Sequence, residues 1–367
     1  VNQTRSGAEG TAAAAPRGGP VIALDAMGGD HGPAETVAGA VAAVRGHGLR
    51  VVLVGRLSEL TALLAEHGAT GEVPVVHAED TLAMNEGALA GWRRPRSSVA
   101  VACKLIRQGD ASALVSAGST GGVVATSTVR LRTQPGVLRA ALAVVLPTRP
   151  RPTVLLDAGA NADAKPEMLV QFAQLGAAYA HTAHGVADPR VGMLTIGAEP
   201  GKGNRLARKT SELLAATASE PPRLDYRGNV EGHDLLAGQV DVVVTDGFTG
   251  NVALKTVEGT VRFAFDAVHD ALTSTRRARA GALLQRKALR ELRENLDSES
   301  TGGAVLLGLN GTVVIAHGAS RARGIERACL LAADLAAGRI VDQIRRRVSP
   351  SGRSAGWLHR LGHPDDH

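Results

Sequence analysis

The sequence predicts an α/β fold: a doubly wound, mainly parallel sheet in an α/β/α sandwich, with a helical hairpin protruding from it. Two patterns carry this expectation. Short β-branched runs alternate with helical stretches along most of the 367 residues. The runs are continuously apolar rather than alternating, as strands covered on both faces are. A third observation agrees: glycine follows strand after strand, which suits tight strand-to-helix turns.

In chain order, strands are expected at 21–24, 51–54, 73–77, 113–116, 141–146, 153–156, 191–196, 240–245 and 313–316. Between about 251 and 296 the rhythm breaks, and two helices follow one another without a strand. Val257, Val261, Ala264, Phe265, Val268 and Leu272 form one apolar stripe, and Leu289, Leu292 and Leu296 continue on a second helix. The turn between them, 273–279, is basic, and 280–284 is small and apolar. Core packing or a dimer contact would account for such stripes.

No linker of convincing length interrupts the pattern, so residues 21–348 read as one domain. Residues 1–20 are Ala/Gly-rich, lack the hydrophobic block of a secretory signal, and are expected to be a disordered leader. Residues 349–367 read as a basic, flexible tail.

Aromatic residues make up 2% of the chain against 44 glycines, which argues against nucleic acid as a partner because stacking platforms need rings. No apolar run approaches the ~18 residues of a membrane span. Cys103 and Cys329 form no C-x-x-C and are too few for a disulfide framework, so a cytoplasmic protein is expected. The net charge of +6 is local, concentrated in 273–294 and 339–360. These patches suit an acidic partner or an anionic lipid surface, or are simply solvated helix faces and tail.

Five strands run into glycine-rich loops at 24–33, 116–122, 157–161, 197–204 and 246–251. In an open parallel sheet such loops leave one edge, so they are expected to line one crevice with main-chain N–H groups. Two resemble each other: 115–123 and 244–252 each read as strand, Gly-x-Thr-Gly, helix start. Glycine permits close approach and a helix N-terminus favours negative charge, which suits phosphate. For either loop alone, a plain turn and N-cap would suffice; the pairing favours anion binding.

Nucleotide signatures fail. The spacing from Gly197 to Lys202 is wrong for a P-loop, and no G-x-G-x-x-G follows the first strand. His181 and His184 form H-x-x-H without the accompanying Glu of a zinc protease, and no G-x-S-x-G elbow is present. No metal or cofactor is expected.

The run 22–33 (IALDAMGGDHGP) resembles the opening signature of the phosphate acyltransferase (PlsX) family. So do 116–121, 157–166 (DAGANADAKP), 197–204 (GAEPGKGN), 228–232, 246–259 (DGFTGNVALKTVEG) and 302–318. The resemblance covers roughly 21–335 in order. It implies transfer of a fatty acyl group from acyl carrier protein to inorganic phosphate. The acyl phosphate would then pass to a membrane glycerol-3-phosphate acyltransferase in phospholipid synthesis. It also implies a homodimer whose hairpin touches an anionic membrane surface, hence a cytoplasmic, peripherally membrane-associated enzyme. Departures are Ser119, where the family usually has Asn, the stretch 84–92, and Ala162 and Ala164 around Asp163.

Hydrogen phosphate is already an anionic nucleophile, and a thiol leaving group has a pKa of ~8.5. The reaction therefore needs positioning and oxyanion stabilisation more than a strong base or a covalent intermediate. Lys202 and Asn204, with Gly118, Ser119, Thr120 and Gly121, are assigned to phosphate. Asn161, Lys165 and Asn251 are candidate oxyanion or phosphate donors. Asp25, His31 and Asp246 would orient them, unless the aspartates merely close Asx turns. His31 is the candidate proton donor to the thiolate. Cys103 is the rival, an acyl-carrying nucleophile, but its apolar helix at 98–108 suits a structural thiol. Arg276, Arg277, Leu283 and Leu284 are assigned to membrane contact, and either basic patch to the carrier. The alternatives are a phosphotransacetylase-like enzyme using short acyl groups on coenzyme A, a specialised homologue acting in a secondary pathway, or a catalytically weakened scaffold.

Overall fold

Continuous apolar runs become an eleven-stranded sheet in the computed structural model, which describes residues 18–82, 93–219, 221–296 and 301–348. Most of the expected leader, the tail 349–367 and the departure at 84–92 lie outside the described residues. The strands are β1 (Val21–Asp25), β2 (Arg50–Gly55), β3 (Val75–His77), β4 (Ala113–Ser116), β5 (Ala141–Leu146), β6 (Thr153–Leu156), β7 (Arg190–Leu194), β8 (Asp225–Val230), β9 (Val242–Val244), β10 (Ala304–Leu307) and β11 (Thr312–Ile315). Their order across the sheet is β3-β2-β1-β4-β11-β10-β5-β6-β9-β7-β8.

Helices cover both faces: α1 (Ala34–His47), α2 (Leu57–Glu66), α3 (Ser98–Gln108), α4 (Thr120–Leu131), α5 (Pro166–His184), α6 (Arg205–Thr217), α7 (Gly247–Thr273), α8 (Arg276–Leu284), α9 (Arg286–Leu296), α10 (Ala322–Ala337) and α11 (Ile340–Val348). Alternate strand residues feed two cores. Ile22 and Leu24 join Phe172 and Tyr179 of α5 on one face, while Ala23 joins Val99 and Cys103 of α3 on the other. This is the expected sandwich, with a mainly parallel sheet.

β8 and β10 were not foreseen. β8 (DYRGNV) is a half-exposed edge strand without an apolar run, and β10 offers only four residues behind two glycines. β10 matters because it reverses the sheet. β1, β4 and β11 are mutually parallel, β10 is antiparallel to both β11 and β5, and β5 is antiparallel to β6. β6, β9 and β7 are again parallel to each other and so run opposite to β4.

The expectation that all five glycine loops leave one edge is therefore corrected. Loops after β1 and β4 leave one edge, and those after β6, β7 and β9 leave the other. Those after β4, β6 and β9 still meet, because the strand between them is short: from Leu142 to Val145, β5 advances only ~10 Å.

The hairpin also differs from expectation. Its first helix starts at Gly247 rather than 251, because Asp246 caps it, Oδ1 accepting from Thr249 N at 2.8 Å. Thr275 Oγ1 accepts from Ala278 N at 3.1 Å and starts α8, so the basic turn shrinks and Arg276 and Arg277 become helical. In α7 the buried residues are Gly247 and Gly250 alone.

Candidate active site

Over β5 and β11 lies a cavity of about 390 Å³. Leu142 and Val144 of β5, Ile315 of β11 and Leu254 of α7 give it an apolar side. Thr120, Gly121, Gly159, Asn251 and His317 bring polar groups from both edges of the sheet.

The loop after β6 is organised by Asp157, whose side chain is fully buried. Oδ1 accepts from the N–H groups of Leu142 (2.9 Å), Gly159 (3.1 Å) and Ala160 (3.0 Å), and Oδ2 accepts from Asn161 N at 2.7 Å. Asn161 Nδ2 donates to Asp157 Oδ2 and to Ala140 O, each at 2.8 Å. Both amide hydrogens are thus spent, and Asn161 has no side-chain N–H left for an oxyanion.

Asn251 is the converse. It sits on the first turn of α7, exposed, facing Gly159, and its amide makes no hydrogen bond among the described residues. α7 can approach this loop because Gly247 and Gly250 lack side chains: a Cβ there would collide with the carbonyl oxygens of Asn161 and Asp157.

From the opposite edge, Asp25 shapes the loop after β4. Ser116 Oγ donates to Asp25 Oδ2 at 2.6 Å and accepts from Gly118 N at 3.1 Å. Burial pushes the Asp25 carboxyl above its usual range, against the pull of the Ser116 hydroxyl. The α4 helix then starts at Thr120, where the first N–H groups have no partner within the helix. The next loop on this edge carries His317. Its Nδ1 accepts from Ala319 N at 3.2 Å, so the ring proton resides on Nε2.

A protein-family description, "Fatty acid synthesis protein", matches residues 21–342. A phosphate acyltransferase of Thermobifida fusca is 71% identical over 356 residues, covering 97% of this chain and 99% of that protein. The chain belongs to the phosphate acyltransferase (PlsX) family. A phosphate acyltransferase of Thermus thermophilus is 46% identical over 328 residues, 89% of this chain and 98% of the relative. Among solved structures, a phosphotransacetylase from Streptococcus pyogenes superposes with a TM-score of 0.61 at 19% identity, covering 87% of this chain and 94% of that one. That likeness bears on the fold. The phosphate acyltransferase family membership makes the chain an acyltransferase of lipid biosynthesis.

Against this family assignment, the residues singled out in the sequence fall into two groups. Thr120, Gly121 and Asn251 line the cavity. Gly118 is buried behind them with its N–H held by Ser116, and Ser119 stands at the N-cap of α4. Lys202, Asn204, Lys165 and His31 are not among the cavity's lining residues. Lys202 is exposed, and Asn204 caps α6, Oδ1 accepting from Ala207 N at 2.8 Å. His31 is exposed in the loop after β1, whose Asp30 N donates to Gly318 O at 2.8 Å. Asp246 holds Thr249 through N–H and Oγ1, both at 2.8 Å, as the N-cap of α7 rather than the Asx turn weighed for it.

Cys103 is fully buried, does not line the cavity, and its thiol is pushed up to about 12 by that burial. Sequence reasoning missed His317 and Glu258. Glu258 accepts from Lys255 Nζ at 2.8 Å across the cavity wall.

Proposed function

We propose that the chain transfers a fatty acyl group from acyl carrier protein to inorganic phosphate, releasing acyl phosphate. One observation carries this reading: a single cavity joins an apolar side fit for an acyl chain to a helix start and free donors fit for anions. Phosphate sits at the start of α4, against Thr120 and Gly121. The acyl chain lies along Leu142, Val144, Leu254 and Ile315. A phosphate oxygen attacks the thioester carbon, the C–O bond forms and the C–S bond breaks. The bonding pair goes to sulfur, and the proton shed by hydrogen phosphate ends on the thiolate or on water.

Asn251 Nδ2 and His317 Nε2 are the donors available to the developing oxyanion. His317 does this as a neutral ring, since Nδ1 is already an acceptor, and so replaces His31 in the mechanism as a hydrogen-bond donor rather than an acid. The acyl phosphate supplies a membrane glycerol-3-phosphate acyltransferase.

The hairpin serves both assembly and membrane contact. Phe263 (74% exposed) and Val268 on α7 offer an apolar stripe for a second copy of the chain, giving a homodimer. Leu283 (71%) and Leu284 (90%) project beside Arg276, Arg277 and Arg279, a composition fit for shallow insertion into anionic lipid. Among the described residues no helix is long and apolar enough to cross a membrane.

The test is purified protein with acyl carrier thioester and phosphate, trapping acyl phosphate with hydroxylamine. Hydroxamate that requires phosphate and the carrier supports the reading. Product from coenzyme A thioester alone, or none, overturns it. For the hairpin, Leu283→Glu/Leu284→Glu should abolish co-sedimentation with anionic liposomes, and undiminished sedimentation would refute insertion there.

A further inference from the structure

A second concavity, of about 550 Å³, lies between the starts of α5 and α6. Lys165, Glu167, Arg205 and Lys209 are its charged lining residues, with Pro166 and Leu206 between them. Arg205, Arg208 and Lys209 are exposed and fall at helical spacing on one face of α6, and Lys202 is exposed just before them. Glu167 is the acid among the lining residues, Glu212 pairs with Lys209 at 3.2 Å, and Asp163 and Glu199 lie in the flanking loops. The groove is therefore net positive.

Its position gives that charge a use. Ala162 lines the catalytic cavity and Lys165 lines the groove, and both belong to the loop that Asp157 anchors. They stand three positions apart in the chain, so their Cα atoms lie no more than ~11 Å apart. The hairpin is much farther away. From Glu258, which lines the cavity, to the end of α7 at Thr273 the helix rises ~22 Å, and Arg276 and Arg277 lie beyond. A donor that must deliver a thioester on a tethered arm is served by the nearer surface.

Resting on the acyl transfer proposed above, we infer that the groove formed by Lys165, Arg205 and Lys209 docks the acidic carrier protein that bears the acyl thioester. The basic hairpin is then left to lipid. The groove supplies encounter and orientation, and the cavity supplies the chemistry.

The experiment is binding of fluorescently labelled holo acyl carrier protein to the full-length enzyme, read by anisotropy at low and high salt. Arg205→Glu/Lys209→Glu should weaken binding by about tenfold or more and flatten the salt dependence. Its thermal midpoint should stay unchanged, which separates docking from folding. Arg276→Glu/Arg277→Glu should bind the carrier as wild type does. Unchanged affinity in the groove variant, or loss only in the hairpin variant, overturns the inference. Binding of free coenzyme A weakened equally by the groove variant also overturns it, since the groove would then bind a small anion. Failure of the acyl-transfer reading appears differently, as a wild-type enzyme that makes no acyl phosphate from the carrier thioester.

Discussion

Asn161 donates to Asp157 twice, from its main-chain N at 2.7 Å and from Nδ2 at 2.8 Å, both onto Oδ2. A conspicuous amide in a glycine-rich loop is thereby a brace, and the free amide belongs to Asn251 across the loop. The two asparagines should respond differently. Asn251→Ala should lower kcat by ~10²-fold, the usual loss for one oxyanion donor. Asn161→Ala should stay within about tenfold of wild type, and steady-state rates with saturating phosphate decide between them.

Asp157 should matter to folding before catalysis. Asp157→Ala leaves several buried N–H groups without an acceptor, each costing ~1–3 kcal/mol. The stability loss should reach ~3–5 kcal/mol in urea denaturation, well beyond that of Asn161→Ala.

His317→Ala should lower kcat by ~10²-fold, with part of the loss recovered in His317→Gln, whose amide can donate. No recovery in His317→Gln would overturn the donor role.

Cys103→Ala should keep wild-type turnover and lose ~1 kcal/mol of stability from the cavity it leaves. Its thiol is buried, raised to about 12 and not among the residues that line the cavity. Loss of turnover in a folded variant would restore a covalent route.

Arg190 and Asp241 govern acid stability. Burial of Asp241 opposes its ionisation, but the Arg190 guanidinium and N–H outweigh this and hold the carboxyl below its usual value. Arg190 Nε and NH2 reach its two oxygens at 2.9 and 3.1 Å. Since the folded value lies below the unfolded one, this stability is complete above about pH 4 and is lost as pH falls through the folded value. Arg190→Met should cost ~3 kcal/mol at neutral pH and move the acid-unfolding midpoint upward, as read from urea melts across a pH series.

Strands buried on both faces were legible because burial leaves an unbroken apolar run; β4, β5 and β6 fall at their expected bounds. β8 was illegible because an edge strand tolerates Asp, Arg and Asn, and β10 because four residues carry no period. Strand direction has no local signature either, so the reversal at β10 and β5 was hidden. Of the site, the Gly-x-Thr-Gly pair was readable from its repeated spacing, and it puts Thr120 and Asn251 at the cavity. Lys202 drew attention as a lysine between glycines, which marks a mobile loop as readily as a ligand. His317 lies in AHGAS, a run without a motif, and only the antiparallel pairing of β10 with β11 brings it over β5.

The seating of α7 has a mechanical consequence. At ~1.5 Å per residue the helix is a rod of ~40 Å, seated by Gly247 and Gly250 directly on backbone carbonyls and by half-buried Ala253, Leu254 and Val257 against the core. All of that seating lies in its first three turns, so a tilt of the rod would carry Phe248, Asn251 and Leu254 with it. Whatever grips the distal end therefore sets the aperture at the proximal one, and a fixed anchorage there would tune turnover without touching a reacting atom.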